Sequence, residues 1–266
     1  MLRTEILAVG LACAFASSAF AADLPSRKFA PAAPVAPVFT WTGFYVGANA
    51  GAAWSNSSTR LTPFDPTWFT LIDTRGSWHK SQDDVSFSGG AQVGYNYQIG
   101  SVVLGAEADF NYANLKTGIN GRYNETAGGF TADNNFTTRS KVEWFGTVRA
   151  RLGFTPHERL MIYGTGGLAY GSVKATAVET FNGTFNGVNV FSDVSNGSKS
   201  DNRFGWTLGG GAEYALTNNL SLKAEYLYVD LGKQSFSTVS ALGAPEVRVE
   251  HDTKFSVLRA GVNYRF

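Results

Sequence analysis

Few side chains in this chain are equipped for chemistry. The only imidazoles are His79, His157 and His251. His79 stands near Asp83 and Asp84, and His251 directly precedes Asp252, so either site offers a base and a carboxylate. Nothing in the spacing supplies a nucleophile or fixes a water beside them, and solvated loop residues are the simpler account. His79 and His251 therefore stand only as candidate loop contacts for a ligand. His157 follows Pro156 in a short break and is expected to be inert. Cys13 is the single cysteine, which excludes a disulfide framework. Gly164-Thr165-Gly166-Gly167 has the outline of a nucleotide-binding loop, but only Leu168-Ala169-Tyr170 follows where a helix should begin. A glycine-lightened strand is expected there. The chain is expected not to be an enzyme, with no catalytic residue, cofactor or metal.

A second group of residues is informative because of where it recurs. Glu107, Asp109, Glu143, Arg149, Arg151, Glu213, Lys223, Glu225 and Arg259, with Lys141 and Arg265, all fall on the polar side of segments that alternate with period two. Period two is the mark of a strand with unlike faces. In one such run Val85, Phe87, Ala91, Val93, Tyr95 and Tyr97 oppose Ser86, Ser88, Gln92, Gly94 and Asn96. In another, Val102, Leu104, Ala106, Ala108, Phe110 and Tyr112 oppose Val103, Gly105, Glu107, Asp109 and Asn111. In a third, Val142, Trp144, Val148, Ala150, Leu152 and Phe154 oppose Lys141, Glu143, Thr147, Arg149 and Arg151. Similar runs begin near Phe44, Leu160, Phe204, Leu220 and Leu258, which gives eight strands; the one from Leu160 is ambiguous because Gly164 to Gly167 dilute both faces.

The breaks alternate in length. Short ones lie near 99–101, 155–159 and 217–219; long ones, rich in Asn, Ser, Thr, Asp and Gly, lie near 55–84, 114–138, 173–202 and 232–253. These long breaks are expected to be loops, and Pro63, Pro66, Pro156 and Pro245 are all expected outside strands. Charges sit mid-run on the polar face and only near run ends on the apolar face. An Arg or Lys facing the middle of a bilayer costs roughly 2–4 kcal/mol, so lipid selects this distribution. Aromatic residues gather towards run ends, as membrane-interface belts do. The expected fold is all-β, an eight-stranded antiparallel up-and-down transmembrane β-barrel with an apolar outside, a polar lumen, short periplasmic turns and long outer loops. Neighbouring runs are expected to bring Glu107 near Arg149 or Arg151, and Glu225 near Arg259.

Composition agrees with that class. The 266 residues carry 22 Lys+Arg against 21 Asp+Glu, with 44% hydrophobic, 14% aromatic and only 16% charged residues. Near-neutrality argues against nucleic acid as a partner. Residues 1–21 read as a secretory signal peptide, with Ala19-Phe20-Ala21 as the small–x–small cleavage site. Residues 22–40 hold Pro25, Pro31, Pro34 and Pro37 and read as an extended periplasmic linker. The barrel is expected to occupy residues 41–266.

The last residues, Arg259-Ala260-Gly261-Val262-Asn263-Tyr264-Arg265-Phe266, resemble the carboxy-terminal signal of outer-membrane barrels, with Arg259, Gly261, Tyr264 and Phe266 at its characteristic positions. The resemblance implies insertion by the barrel assembly machinery after escort by periplasmic chaperones. WTGFYVGANAG from Trp41, the strand after Val85, LKAEYLYVDLG from Leu222 and the AGVNYRF ending together resemble the alphaproteobacterial outer-membrane immunogenic protein family, RopB-type porin-like surface antigens with an OmpA-like eight-stranded barrel. That family implies a place in the Gram-negative outer membrane among its lipid and lipopolysaccharide. It also implies a role in envelope integrity and as a surface antigen, with loops available to a host surface or phage. The lumen is expected to be plugged by paired charges. The alternatives are a small-solute porin, or a surface receptor that captures hemin through the loops.

Overall fold

The computed structural model describes residues 39–63, 77–80, 85–239 and 245–266. The expected signal peptide and all but the last two residues of the expected linker lie outside the described residues. The strands are β1 (Gly43–Ser55), β2 (Ser58–Pro63), β3 (Ser77–Lys80), β4 (Ser86–Ile99), β5 (Val102–Ala127), β6 (Phe130–His157), β7 (Leu160–Phe185), β8 (Val188–Ala215), β9 (Leu220–Val239) and β10 (Pro245–Arg265). Eight of them follow one another around a single antiparallel sheet in the order β1-β4-β5-β6-β7-β8-β9-β10. Pairing of β1 with β10, from Tyr45 opposite Arg265 to Ser55 opposite Phe255, closes the ring. The two short strands extend neighbours outward: β2 continues the register of β1 along β10, and β3 pairs with β5 above β4. Between the two ends of the membrane-spanning rungs, closure leaves no edge of unpaired backbone, which is what hydrocarbon demands of a sheet.

The faces are arranged for lipid. Phe44, Leu104, Phe110, Leu152, Leu168, Leu208 and Leu258 are all exposed, whereas Glu107, Asp109, Arg149, Lys223 and Arg259 are buried. A barrel in water would have the opposite arrangement. The outward-facing aromatics form two belts. Near the short turns lie Phe44 against Tyr95, with ring centroids 4.7 Å apart, and Tyr264 against Phe266 at 5.3 Å. At the far side lie Phe110 against Trp144 at 5.4 Å and Trp206 against Tyr228 at 5.5 Å. About ten residues of each strand separate the belts, the length needed to cross a band about 25 Å tall at the usual tilt.

Beyond the second belt the fold departs from expectation. Much of the sequence of the long breaks is ladder. β5 pairs with β6 as far as Ala127 opposite Phe130, and β7 with β8 as far as Phe185 opposite Val188. Each hairpin closes on two residues of positive φ, Gly128-Gly129 and Asn186-Gly187, which match the right-handed twist of the strands they join. Asn, Ser and Thr were expected to mark loops. Above the membrane, however, an outward face meets water, so polar residues there cost a strand nothing, and the ladder simply continues. The prolines need a matching correction. Pro63 ends β2, Pro245 begins β10, and Pro156 lies in β6 where its pairing with β7 is interrupted. All three are places where a strand loses no ladder donor.

Candidate functional site

The barrel interior holds the densest chemistry among the described residues, and its strands place it in layers. Glycines line the inner face where the largest side chains lie. A Cβ on Gly94 would stand 2.4 Å from the Tyr45 ring, so only glycine leaves room for that tyrosine.

The middle layer is ionic. β5 contributes Glu107 and Asp109, β6 Arg149 and Arg151, β8 Glu213, β9 Lys223 and Glu225, and β10 Arg259; none is more than 4% exposed. Arg149 spans the group, donating to Asp109 at 2.9 Å, to Glu225 at 2.9 Å and also to Glu107. Arg259 donates to Asp109 at 2.9 Å and through Nε to Glu225 at 2.8 Å. Lys223 donates to both oxygens of Glu107, at 2.9 and 3.0 Å. Arg151 pairs with Glu213 and lies 3.6 Å over the Tyr163 ring. Neutral groups complete the shell: the Tyr45 hydroxyl donates to Glu107 at 2.7 Å, Thr147 to Asp109 at 2.8 Å and Asn263 to Glu213 at 2.8 Å. Four carboxylates thus meet four cations, as removing charge from water requires.

Apolar layers lie on both sides of this group. Towards the short turns, Trp41, Val103, Met161, Tyr163 and Ala215 pack together, and the Trp41 indole donates to the Glu158 carbonyl at 3.1 Å. Arg265 ends here, with its guanidinium 4.5 Å from the Phe39 ring and 5.2 Å from that of Trp41. Towards the long hairpins, Leu227, Val229 and Leu231 of β9 close over the ions with Val142, Phe145, Val173, Phe255 and Val257. Phe145 and Phe255 meet edge to face at 5.1 Å. Sequence reasoning missed this upper layer, although its signal was present. From Tyr226 to Leu231 the chain is apolar at nearly every position, which is how a strand reads when both its faces are covered.

Besides Arg265, two expected members of the ionic group lie elsewhere. Lys141 and Glu143 pair with each other at 3.1 Å on the outer surface, where Glu143 also takes Lys174 at 3.3 Å. Pairing of β6 with β7 shifts between Val142 and Trp144, and that of β5 with β6 between Tyr112 and Leu115. One extra residue reverses the inward and outward sides from there on. Val142, expected on the lipid face, is accordingly buried inside.

Gly261 of the carboxy-terminal segment faces inward beside Asn49, while Tyr264 and Phe266 are exposed on the apolar outside. Gly164 to Gly167 lie within β7. The backbone of His79 pairs with Asn120 on β5; its side chain, and Asp83 and Asp84, lie outside what is described. His251 is 5% exposed, on β10 between Gln234 of β9 and Thr59 of β2. Burial pushes its imidazole down to about 4, against the opposing pull of the Asp252 charge.

Comparison with known proteins agrees with this architecture. Residues 7–266 match the family model described as the outer membrane protein beta-barrel domain. The chain is 40% identical over 264 residues to the 31 kDa outer-membrane immunogenic protein of Brucella melitensis biotype 1, covering 98% of this chain and 99% of that one. It is 30% identical over 204 residues to the 22 kDa outer membrane protein of Rhizobium leguminosarum bv. viciae, with 77% and 71% covered. Among solved structures, the outer membrane protein OprG from Pseudomonas aeruginosa aligns with 87% of this chain and 99% of its own, at 15% identity and a TM-score of 0.47.

Proposed function

The chain belongs to the outer membrane protein beta-barrel family, alongside the alphaproteobacterial immunogenic proteins of the Gram-negative outer membrane, and from that premise we propose that it is a non-enzymatic wall element of that membrane with a shut lumen. In this reading the barrel contributes to envelope integrity, and the hairpins reaching beyond the second aromatic belt are a surface antigen. The observation that carries it is the layered interior, in which a neutral cluster of eight buried ionic groups lies between two apolar seals. An ion following the axis would have to leave water for hydrocarbon twice and break into a satisfied ion network between. An eight-stranded barrel has little volume beyond its own side chains, which supports the same reading. The antigen role draws support from the relatives, which are named outer-membrane immunogenic proteins.

The porin alternative loses support from the seals, and hemin capture gains none from a His251 buried to 5% exposure. Host surface and phage are contacts that the hairpins would serve, and the barrel assembly machinery and periplasmic chaperones are the partners implied by the terminal strand. Conductance of the purified, folded protein in a planar bilayer tests the central point. Small flickering currents are expected; large, stable channels would overturn the closed-wall reading.

A further inference from the structure

Outside the upper apolar seal, the extended strands frame a partly open chamber of about 320 Å³. That is the lower end of the range of small-molecule sites, roughly 300–1,000 Å³. Its walls carry hydroxyl groups from three sides: Ser57 after β1, Thr117 on β5, and Thr138 and Ser140 on β6. One side is apolar, with the Phe236 ring of β9 beside Val249 of β10. Among the described residues no carboxylate lines the chamber, and its one permanently charged residue, Arg139, is exposed.

The polar wall is satisfied from within the protein only in part: Ser57 donates to the Lys254 carbonyl at 3.1 Å. Thr138, by contrast, is 6% exposed and its hydroxyl has no hydrogen-bond partner. Behind the lining, on the same inner face as Phe236, Gln234 is 1% exposed, and neither its amide oxygen nor its nitrogen has one. Buried groups of this kind are nearly always paired, so each unmet one calls for a partner from outside the chain. Water alone would satisfy the hydroxyls but gains nothing from an aromatic wall. A ring-shaped molecule with apolar C–H faces and hydroxyl edges uses both.

We propose that this chamber binds a neutral, polyhydroxylated molecule of monosaccharide size, either free or as the terminal residue of a glycan. The site lies outside the seal and needs no path through the lumen, so it stands or falls independently of conductance.

Saturation-transfer NMR on the full-length protein folded in lauryldimethylamine oxide micelles, a detergent without sugar, tests it. The probes are methyl glucoside, methyl galactoside and methyl mannoside, followed by a neutral glucan and a galactomannan. Transfer to ring protons of at least one methyl glycoside is expected at millimolar concentration, weakened about tenfold in Thr138→Val and abolished in Ala175→Phe, which projects a ring into the chamber from its lining. Transfer only to terminal residues of the polysaccharides assigns the site to a glycan end. Silence with every probe would overturn the proposal, as would transfer unchanged in both variants. Folding of each variant is checked by heat-modified migration on a gel. Should Thr138→Val fail that check, Ser140→Ala takes its place and is expected to weaken binding in the same direction.

Discussion

The Tyr45 hydroxyl donates to Glu107 across the barrel interior at 2.7 Å, and the ring that carries it fills the space above Gly94. The bond therefore depends on a missing side chain on β4. A methyl group at position 94 would lie 2.4 Å from the ring carbon that bears the hydroxyl, and 2.7 Å from the Ala106 carbonyl oxygen. Gly94→Ala is expected to destabilise the folded barrel by about 1–3 kcal/mol, the usual result of overpacking. Urea titration in micelles measures it, and adding Tyr45→Ala should recover part of the loss. Strict additivity of the two changes would refute the contact.

Arg149 is bound to Glu107, Asp109 and Glu225 at once. Arg149→Met leaves three carboxylates around an uncharged side chain, and breaking a buried ionic group in this way costs about 3–5 kcal/mol. Combining it with Glu225→Gln removes one carboxylate and should lose less than the single change. A midpoint shift equivalent to under about 1 kcal/mol for Arg149→Met would mean that the cluster is hydrated, not dry.

The upper apolar seal makes a prediction about leak. Arg259→Gln loosens the ionic layer but leaves the seal of Phe145, Phe255 and Leu227 intact. Its conductance is expected to stay close to that of the unaltered protein. Replacing Phe145 and Phe255 with alanine in the same background should raise the current clearly. A leak from Arg259→Gln alone would assign closure to the ions and not to the seal.

His251 sets a pH dependence. Its imidazole is held at about 4 when folded, against an ordinary value of 6.5. Between these values the unfolded chain binds a proton that the folded chain does not, so stability is full above about 6.5 and declines as pH falls towards 4, by at most about 1.4 kcal/mol per pH unit. Hydrogen exchange of the β9 and β10 amides beyond the membrane should quicken over that window. His251→Leu is expected to flatten the dependence; an unchanged pH profile in that variant would exclude the histidine as its source.

The transmembrane half of this fold was legible because lipid imposes a strict rule, and residues 102–112 obey it at every position. Glu107, Arg149, Glu225 and Arg259 were readable as inward-facing for the same reason, and the register does set Glu107 opposite Arg149 and Arg259 opposite Glu225. Parity counting failed where the rule lapses. It has no means of detecting the extra residue near Val142, so Lys141 and Glu143 were assigned to the wrong side. It could not distinguish a polar strand in water from a loop, so the upper hairpins went unseen. The apolar seal escaped because a polar lumen was assumed throughout, although Leu227, Val229 and Leu231 already departed from it.

The hairpin ladders also limit how the exterior can change length. In a free loop, residues can be inserted or lost one at a time. Between Asn114 and Val142, and over most of the span from Val173 to Asn202, each rung takes one residue from each arm and side chains alternate. A shift between Gly183 and Thr184, which face Phe191 and Asn189, leaves one extra residue, Val190, on β8. Insertions and deletions that keep the pattern must therefore come symmetrically, two residues per arm. A single-residue indel has to be absorbed as a kink or at the tips, Gly128-Gly129 and Asn186-Gly187. Sequence change in such an exterior would proceed mainly by exchange of outward side chains on a frame of quantised height.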